Sequence, residues 1–398
     1  MKPSICLCMI VKNESKVIER CLNAAKGLID YWVISDTGST DGTQELIRSV
    51  LDGIPGELHD EPWVNFGHNR TLNIRHALGK ADYLLLLDAD LEVCGDGEFP
   101  SLTADAYMLR HDCDTSYRIR RLVRGDLPWR YEGVTHEFIT CDREVRQENT
   151  DALVIRDHGD GGSKHDKFER DARLLSLELQ RDPDNPRTVF YLAQTMRDLG
   201  RNAEAIELYE RRAAMGGWAE EVYFSLLQVG ILEAAAAHWP DAAEAFTKAW
   251  ETRPQRLEAC YELASRLRKK GRYHTAFALL CGVVGRPLPA EDILFTQPWV
   301  YQWGLIFEYS INAYWVGAYD ESLAACDVLL SMPDLPGHIR EQVVKNRAFA
   351  VEKYSAGEPA AESAAEPENE LAPAQQPDEQ PDDQPQAPAA RRPQPVGG

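Results

Sequence analysis

Long apolar runs are missing from this chain of 398 residues. No stretch reaches the roughly 18 consecutive apolar residues of a membrane-spanning helix, so no transmembrane segment is expected. The first residues also lack the charged, apolar, small-residue order of a secretion signal and run directly into an apolar strand. Cysteine is sparse: nine residues, an odd number, with no Cys-x-x-Cys pair. That argues against a disulfide framework or a cysteine-based zinc site, and it sets the expectation of a cytoplasmic protein with buried thiols. Basic charge is short as well, with 43 Lys and Arg against 64 Asp and Glu and a net charge of −21. The tail from Ala356 carries about a third of that excess, and the remainder is still acidic. Nonspecific nucleic-acid binders and anionic-membrane binders need basic surface, so neither partner is expected.

What the chain does have is the stretch Ala81-Asp-Tyr-Leu-Leu-Leu-Leu-Asp-Ala-Asp90. Four consecutive leucines read as a strand buried on both faces. Two aspartates follow at its carboxyl end, the edge of an open α/β sheet where ligands bind. Carboxylates there suit a hard divalent cation, which commonly brings a phosphate with it. Upstream, Ile5–Val11 is a first apolar strand, Val17–Leu22 has helical spacing and Tyr31–Ser35 is a second strand. The second strand ends in Asp36-Thr-Gly-Ser-Thr-Asp-Gly-Thr43, and a helix starts near Gln44. Strand, small-residue turn and helix make half of a nucleotide-binding unit, in which glycines admit a ligand to the backbone and the helix start offers N–H groups to an anion.

Met9-Ile-Val-Lys-Asn-Glu14, Val33–Thr43, Asn69-Arg70 and Asp88-Ala-Asp90 stand in the order and spacing of family-2 glycosyltransferases, which the first 160 or so residues resemble. The resemblance implies the GT-A fold and a nucleotide-sugar donor. It implies that Asn13, Glu14 and Asp36 belong to the donor site, with Asp36 on the base or ribose, and that Arg70 faces the nucleotide. Asp88 is then near the ribose and the metal, and Asp90 ligates the metal.

Two later segments extend the resemblance. Tyr131-Glu-Gly-Val-Thr-His-Glu-Phe138 is similar to the Gly-x-x-His-Glu segment of a subgroup of these enzymes, and Val154-Ile-Arg-Asp-His-Gly159 to the segment that closes over the metal. An inverting transferase needs one carboxylate to take the acceptor's proton, and Glu137 is the candidate, with Asp157 and Glu132 as substitutes. The family's Glu-Asp pair is absent here. His158 is a candidate third metal ligand or diphosphate contact. His136 is a candidate diphosphate contact, or a residue that orients Glu137. Of the cluster Arg118, Arg120, Arg121 and Arg124, at least one is expected to face the donor's phosphates; Arg121 is the choice.

After the hinge Gly159-Asp-Gly-Gly-Ser163, residues Lys164–Leu179 read as a helix. Then Val189, Leu192, Ala193, Met196, Gly200, Ala205 and Tyr209 show a large-small-large pattern that returns 71 residues on at Cys260, Leu263, Ala264, Leu267, Gly271, Ala276 and Leu280. That is about two units of a 34-residue tetratricopeptide period, with further copies around Gly230 and Ser310 and a closing helix from His338 to Tyr354. From Ser355 the composition of Ala, Pro, Gln and acidic residues cannot support a core.

The expected fold is therefore an α/β nucleotide-sugar-binding domain (GT-A, Rossmann-like) over residues 1–163, an all-α helical repeat domain over 164–354 and a disordered tail over 355–398. The expected activity is a metal-dependent inverting glycosyl transfer, with Mn2+ or Mg2+, from a nucleoside-diphosphate sugar (a UDP-sugar by resemblance) to a hydroxyl of a protein or peptide held by the repeats. A cell-envelope or lipid-linked glycan, or a modified nucleic-acid base, is an alternative acceptor. A degenerate, non-catalytic repeat scaffold is the alternative outside enzymes.

Overall fold

The computed structural model describes residues 2–95, 102–112, 117–161 and 167–356. The expected tail lies, from Gly357 onward, outside them. The chain divides into two compact units after Arg201.

The first unit is built on a mixed eight-stranded sheet. Its strands are β1 (Ile5–Val11), β2 (Tyr31–Asp36), β3 (Gly56–Asp60), β4 (Tyr83–Leu86), β5 (Leu91–Cys94), β6 (Ala106–Asp112), β7 (Tyr117–Arg124) and, after the hairpin β8 (Arg130–Glu132) and β9 (Phe138–Thr140), β10 (Gln147–Asp157). The order is β3-β2-β1-β4-β7-β6-β10-β5, parallel through β3, β2, β1 and β4 and antiparallel at β4–β7, β7–β6 and β10–β5. Helices α1 (Ile18–Ala25), α2 (Thr43–Val50) and α3 (Phe66–Ala77) connect the first strands.

Strands β1, β2 and β4 are buried on both faces, which is why β1 and β4 read as continuous apolar runs. Ile5, Leu7, Met9 and Val11 join one core with α1 and α2, while Cys6 and Cys8 point into a second core with Ile74 and Ala77 of α3. No apolar period announces α3. It is held instead by buried amides: Asn69 Nδ2 donates to the Pro62 carbonyl (3.0 Å), and Asn73 Nδ2 donates to the Val33 carbonyl (3.1 Å) and Ser35 Oγ (3.0 Å). Asn65 caps the helix by accepting from His68 N–H. Two more helices, α4 (Lys167–Arg181) and α5 (Pro186–Asp198), complete this unit.

The second unit is all helical: α6 (Asn202–Ala214), α7 (Ala219–Ala235), α8 (Trp239–Thr252), α9 (Glu258–Lys269), α10 (Tyr273–Cys281), a π-helical turn (Val300–Gly304) running into α11 (Leu305–Trp315), then α12 (Tyr319–Ser331) and α13 (Gly337–Ala356). Ala242, Ala264 and Ala276 of the repeat pattern are fully buried, while Gly271 lies in a turn with φ +70°. A Cβ on Gly230 would lie 2.5 Å from the Phe246 ring, so α7 and α8 pack this closely only without one. An α/β domain followed by an all-α repeat region is the fold class the sequence implies.

One segment of the second unit is held as a peptide is held. Glu220 accepts from the backbone N–H of Ile293 (2.8 Å) and Leu294 (2.7 Å), Arg256 Nη1 donates to the Leu294 carbonyl (3.2 Å), and Glu258 accepts from Gln297 N–H (3.2 Å). Arg256 is fully buried, against Glu258 and Asp292.

Candidate functional site

The carboxyl edge of the parallel strands collects the residues singled out by the sequence. The register pairs Val11 with Asp36, which places the loop after β1 beside the turn after β2. Asn13, with φ +56°, donates its N–H to Ser39 Oγ (2.9 Å) and accepts from Thr40 N–H at Oδ1 (2.8 Å). Glu14 N–H donates to Thr43 Oγ1 (2.9 Å). Hydrogen bonds from Thr43 and Ser15, acting against burial, hold the neighbouring Asp41 carboxyl down to about 2. Asp36 is buried; Oδ1 accepts from Gly38 and Ser39 N–H (2.8 and 2.7 Å), and Oδ2 has no partner among the described residues. A buried acceptor left open at a strand end is the atom that a ligand hydroxyl or N–H would satisfy.

Across from it, Arg70 of α3 stands between two carboxylates. Nη2 donates to Asp88 Oδ1 (2.5 Å), and Nε lies 2.6 Å from Glu137 Oε1 without the alignment of a hydrogen bond. Arg121 Nη1 donates to the other Asp88 oxygen (3.1 Å). Burial pushes the Asp88 carboxyl up, but the two guanidinium groups outweigh it and hold the group well below the usual range. For Glu137 the balance is reversed: burial raises its pKa and Arg70 offsets only part of that. Two carboxylates on one guanidinium are thus driven apart in basicity, the division a site needs to have one fixed anion and one proton acceptor.

Backbone packing brings Arg70 to Glu137. Phe66 N–H donates to the Val134 carbonyl (3.1 Å), and a Cβ on Gly67 would lie 2.1 Å from the Gly133 carbonyl oxygen. Tyr131 N–H donates to Thr71 Oγ1 (2.9 Å), and the Tyr131 ring lies 5.7 Å from the Arg70 guanidinium.

Asp90 is half-buried at the start of β5, with Oδ2 receiving Gly161 N–H at 3.3 Å. Burial, Asp88 and Asp157 all raise its pKa. A carboxylate crowded by others is a position that a hard dication relieves, and Mg2+ or Mn2+ is commonly held by one or two carboxylates plus substrate phosphates, so the residues fit such an ion. Asp88 has both oxygens engaged by arginines, and His158 Nε2 pairs with Glu92 (2.8 Å). Both Asp88 oxygens and His158 Nε2 thus have protein partners in this structure. His136 does not turn its ring toward the carboxylates: it stacks on Tyr191 of α5 (centroids 4.2 Å apart), and burial, with Lys167 and Arg187 nearby, lowers its pKa to about 3.

Of the four clustered arginines only Arg121 reaches the site. Arg118 pairs with Asp151, Arg120 with Gln147 and Arg124 with Asp126. The sequence reading missed His111, which is 1% exposed and receives a long contact from Arg121 Nε (3.4 Å); burial and that cation lower its pKa to about 3. Nothing local marks it, because it faces Arg121 only through the β6–β7 pairing.

Elsewhere, His59, Glu61 and His76 are the one trio of potential ligand atoms within 4.8 Å of one another among the described residues. The two rings stack face to face (3.9 Å, 8°), so their in-plane lone pairs run side by side, and each Nε2 already has its own carboxylate, Glu57 or Glu61. The geometry is that of two His–carboxylate pairs.

The family model of Glycosyl transferase family 2 matches residues 6–162, the span that holds the sheet and its carboxyl-edge residues. Over 225 residues the chain is 24% identical to the SPbeta prophage-derived glycosyltransferase SunS of Bacillus subtilis (strain 168), covering 52% of this chain and 53% of that protein. A TPR repeat-containing protein of Synechococcus elongatus is 35% identical over 89 residues, 22% of this chain and 21% of the other. The chain thus spans about half the length of the first curated relatives it matches, and less of this one. Among solved structures, that of YrrB, a TPR protein with an unusual peptide-binding site, overlaps 46% of this chain and 90% of its own, with 17% identity and a TM-score of 0.33. No helix among the described residues is long and apolar enough to cross a membrane.

Proposed function

We propose that this protein is a metal-dependent inverting glycosyltransferase that moves a sugar from a nucleoside-diphosphate sugar, a UDP-sugar by family resemblance, to a hydroxyl of a protein or peptide. The observation that carries the reading is Arg70 set between Asp88 and Glu137, one carboxylate held ionised and the other made basic. In the reaction the acceptor oxygen attacks the anomeric carbon, Glu137 takes the hydroxyl proton, and the bond to the diphosphate breaks with its electron pair leaving on the nucleotide. Asp36 and the Asn13–Glu14 loop receive the nucleoside, while Arg70 and Arg121 face the phosphates. Asp90 would hold Mn2+ or Mg2+, which when bound would supply positive charge to the departing diphosphate. His158, whose Nε2 pairs with Glu92, would have its other ring nitrogen to offer.

The polypeptide acceptor is favoured over a glycan by one observation. The helical unit already binds a length of main chain, residues 293–297, through Glu220, Arg256 and Glu258. Helical repeats also present extended surfaces suited to such chains. The test is nucleotide release from a panel of nucleotide sugars, followed by mass spectrometry of proteins and glycans from a lysate treated with the preferred donor. Glycosylated lipid or polysaccharide without glycosylated protein would replace the acceptor; release from no donor would return the chain to a scaffold.

A further inference from the structure

We propose that Arg187 and Tyr191 on α5 are positioning residues for the Glu137 carboxylate and act through His136, a proposal that rests on the reading of Glu137 as the base. His136 has φ +49°, a left-handed backbone that residues other than glycine adopt at a cost. Glu137 is the next residue, so whatever holds that turn sets the direction of its side chain. The hold comes from α5. Arg187 Nη2 donates to the His136 carbonyl (2.8 Å). Its guanidinium lies over the Phe138 ring (4.8 Å) and the Tyr191 ring (4.7 Å), so it spans both sides of Glu137. The His136 ring stacks on Tyr191 at an interplanar angle of 8°. One turn of helix therefore fixes the residue before Glu137 by its carbonyl and its ring, and the residue after it by its ring.

Neighbouring contacts act in the same sense. Asp171 of α4, 1% exposed, lies beside Thr135, and Arg170 lies over Phe66 (5.0 Å), whose N–H bonds Val134. The loop of residues 133–138 is thus gripped by α3 on one side and by α4 and α5 on the other. Helices beyond the 6–162 family match complete the support of the proposed base. Among the described residues Arg187 has its hydrogen bond to the His136 carbonyl and its ring contacts to Phe138 and Tyr191, and none to Asp36, Asp88 or Asp90, so its role is separable from donor binding.

The experiment compares wild type, Arg187→Ala, Arg187→Lys and Glu137→Gln in the full chain. It measures kcat for nucleotide release at saturating donor, UDP affinity by calorimetry, and backbone amide exchange over residues 134–138. In Arg187→Ala, kcat is expected to fall about 10- to 100-fold, as for a base displaced by an ångström or so. UDP affinity should be unchanged and exchange at 134–138 faster. Arg187→Lys, which can still reach the His136 carbonyl, should recover part of kcat. Unchanged kcat in Arg187→Ala, or a proportional loss of kcat and UDP affinity together with thermal stability, overturns the proposal. If Glu137→Gln turns over normally, the base assignment fails by itself, and this proposal with it. If Glu137→Gln is inactive while Arg187→Ala is normal in rate and exchange, the base stands and only the positioning role falls.

Discussion

Arg70 Nε approaches Glu137 Oε1 to 2.6 Å while the same guanidinium donates to Asp88, so one cation is shared by the two carboxylates on which the proposed chemistry rests. The pair links α3, whose residues the first half of the motif set covers, to a loop more than sixty positions later.

Glu137→Gln keeps size and loses proton affinity. Turnover is expected to fall by roughly 10²- to 10⁴-fold with UDP affinity retained. Calorimetry and steady-state kinetics check the two halves, and near-normal turnover would move the role to Asp157 or Glu132.

The pH dependence follows from the same pair. The Glu137 carboxyl sits above its ordinary range, and a base works only when deprotonated. Turnover should therefore decline on acidification at a higher pH than an unperturbed glutamate would give. In Arg70→Gln the offsetting cation is gone, so the acid limb of kcat moves higher still. A limb in the same place in both proteins would show that another group controls it.

Asp88 has the opposite sign. Its folded pKa is depressed by Arg70 and Arg121, so its stabilisation is full above the unfolded carboxylate value and is lost as pH falls through the folded one. Asp88→Asn leaves two largely buried guanidinium groups with too little counter-charge, at a cost of about 3–5 kcal/mol. The midpoint of denaturant unfolding measures this, and an unchanged midpoint would mean that solvent already screens the cluster.

Removing metal tests Asp90. EDTA, or Asp90→Ala, should abolish transfer, with Mn2+ or Mg2+ restoring only the wild type. Full activity in EDTA would take the ion out of the reaction.

Gly67→Ala probes the packing that presents Arg70. The new methyl would collide with the Gly133 carbonyl, 2.1 Å from an ideal Cβ, and two backbones must separate to admit it. Both melting temperature and kcat are expected to drop, and an alanine variant with wild-type kcat would show that the 133–137 loop adjusts freely.

Much of the architecture was legible in the residues themselves. The doubly buried strands β1, β2 and β4 announce themselves as apolar runs, Asp36, Asp88 and Asp90 follow them directly, and the small residues of the helical hairpins recur at a fixed period, because each of these signals is local. Three features belong to the tertiary structure. Helix α3 is held by buried asparagines rather than an apolar stripe, so no periodicity reveals it. The engagement of both Asp88 oxygens by Arg70 and Arg121, of His158 by Glu92 and of His136 by Tyr191 depends on which side chains the sheet order and the loop packing bring together. Gln194 of α5 and Gln228 of α7, polar residues, are each only 2% exposed. A motif fixes which atoms a site has to work with; burial and the choice of counter-ion, which exist only once distant segments meet, decide which carboxylate stays charged and which takes the proton.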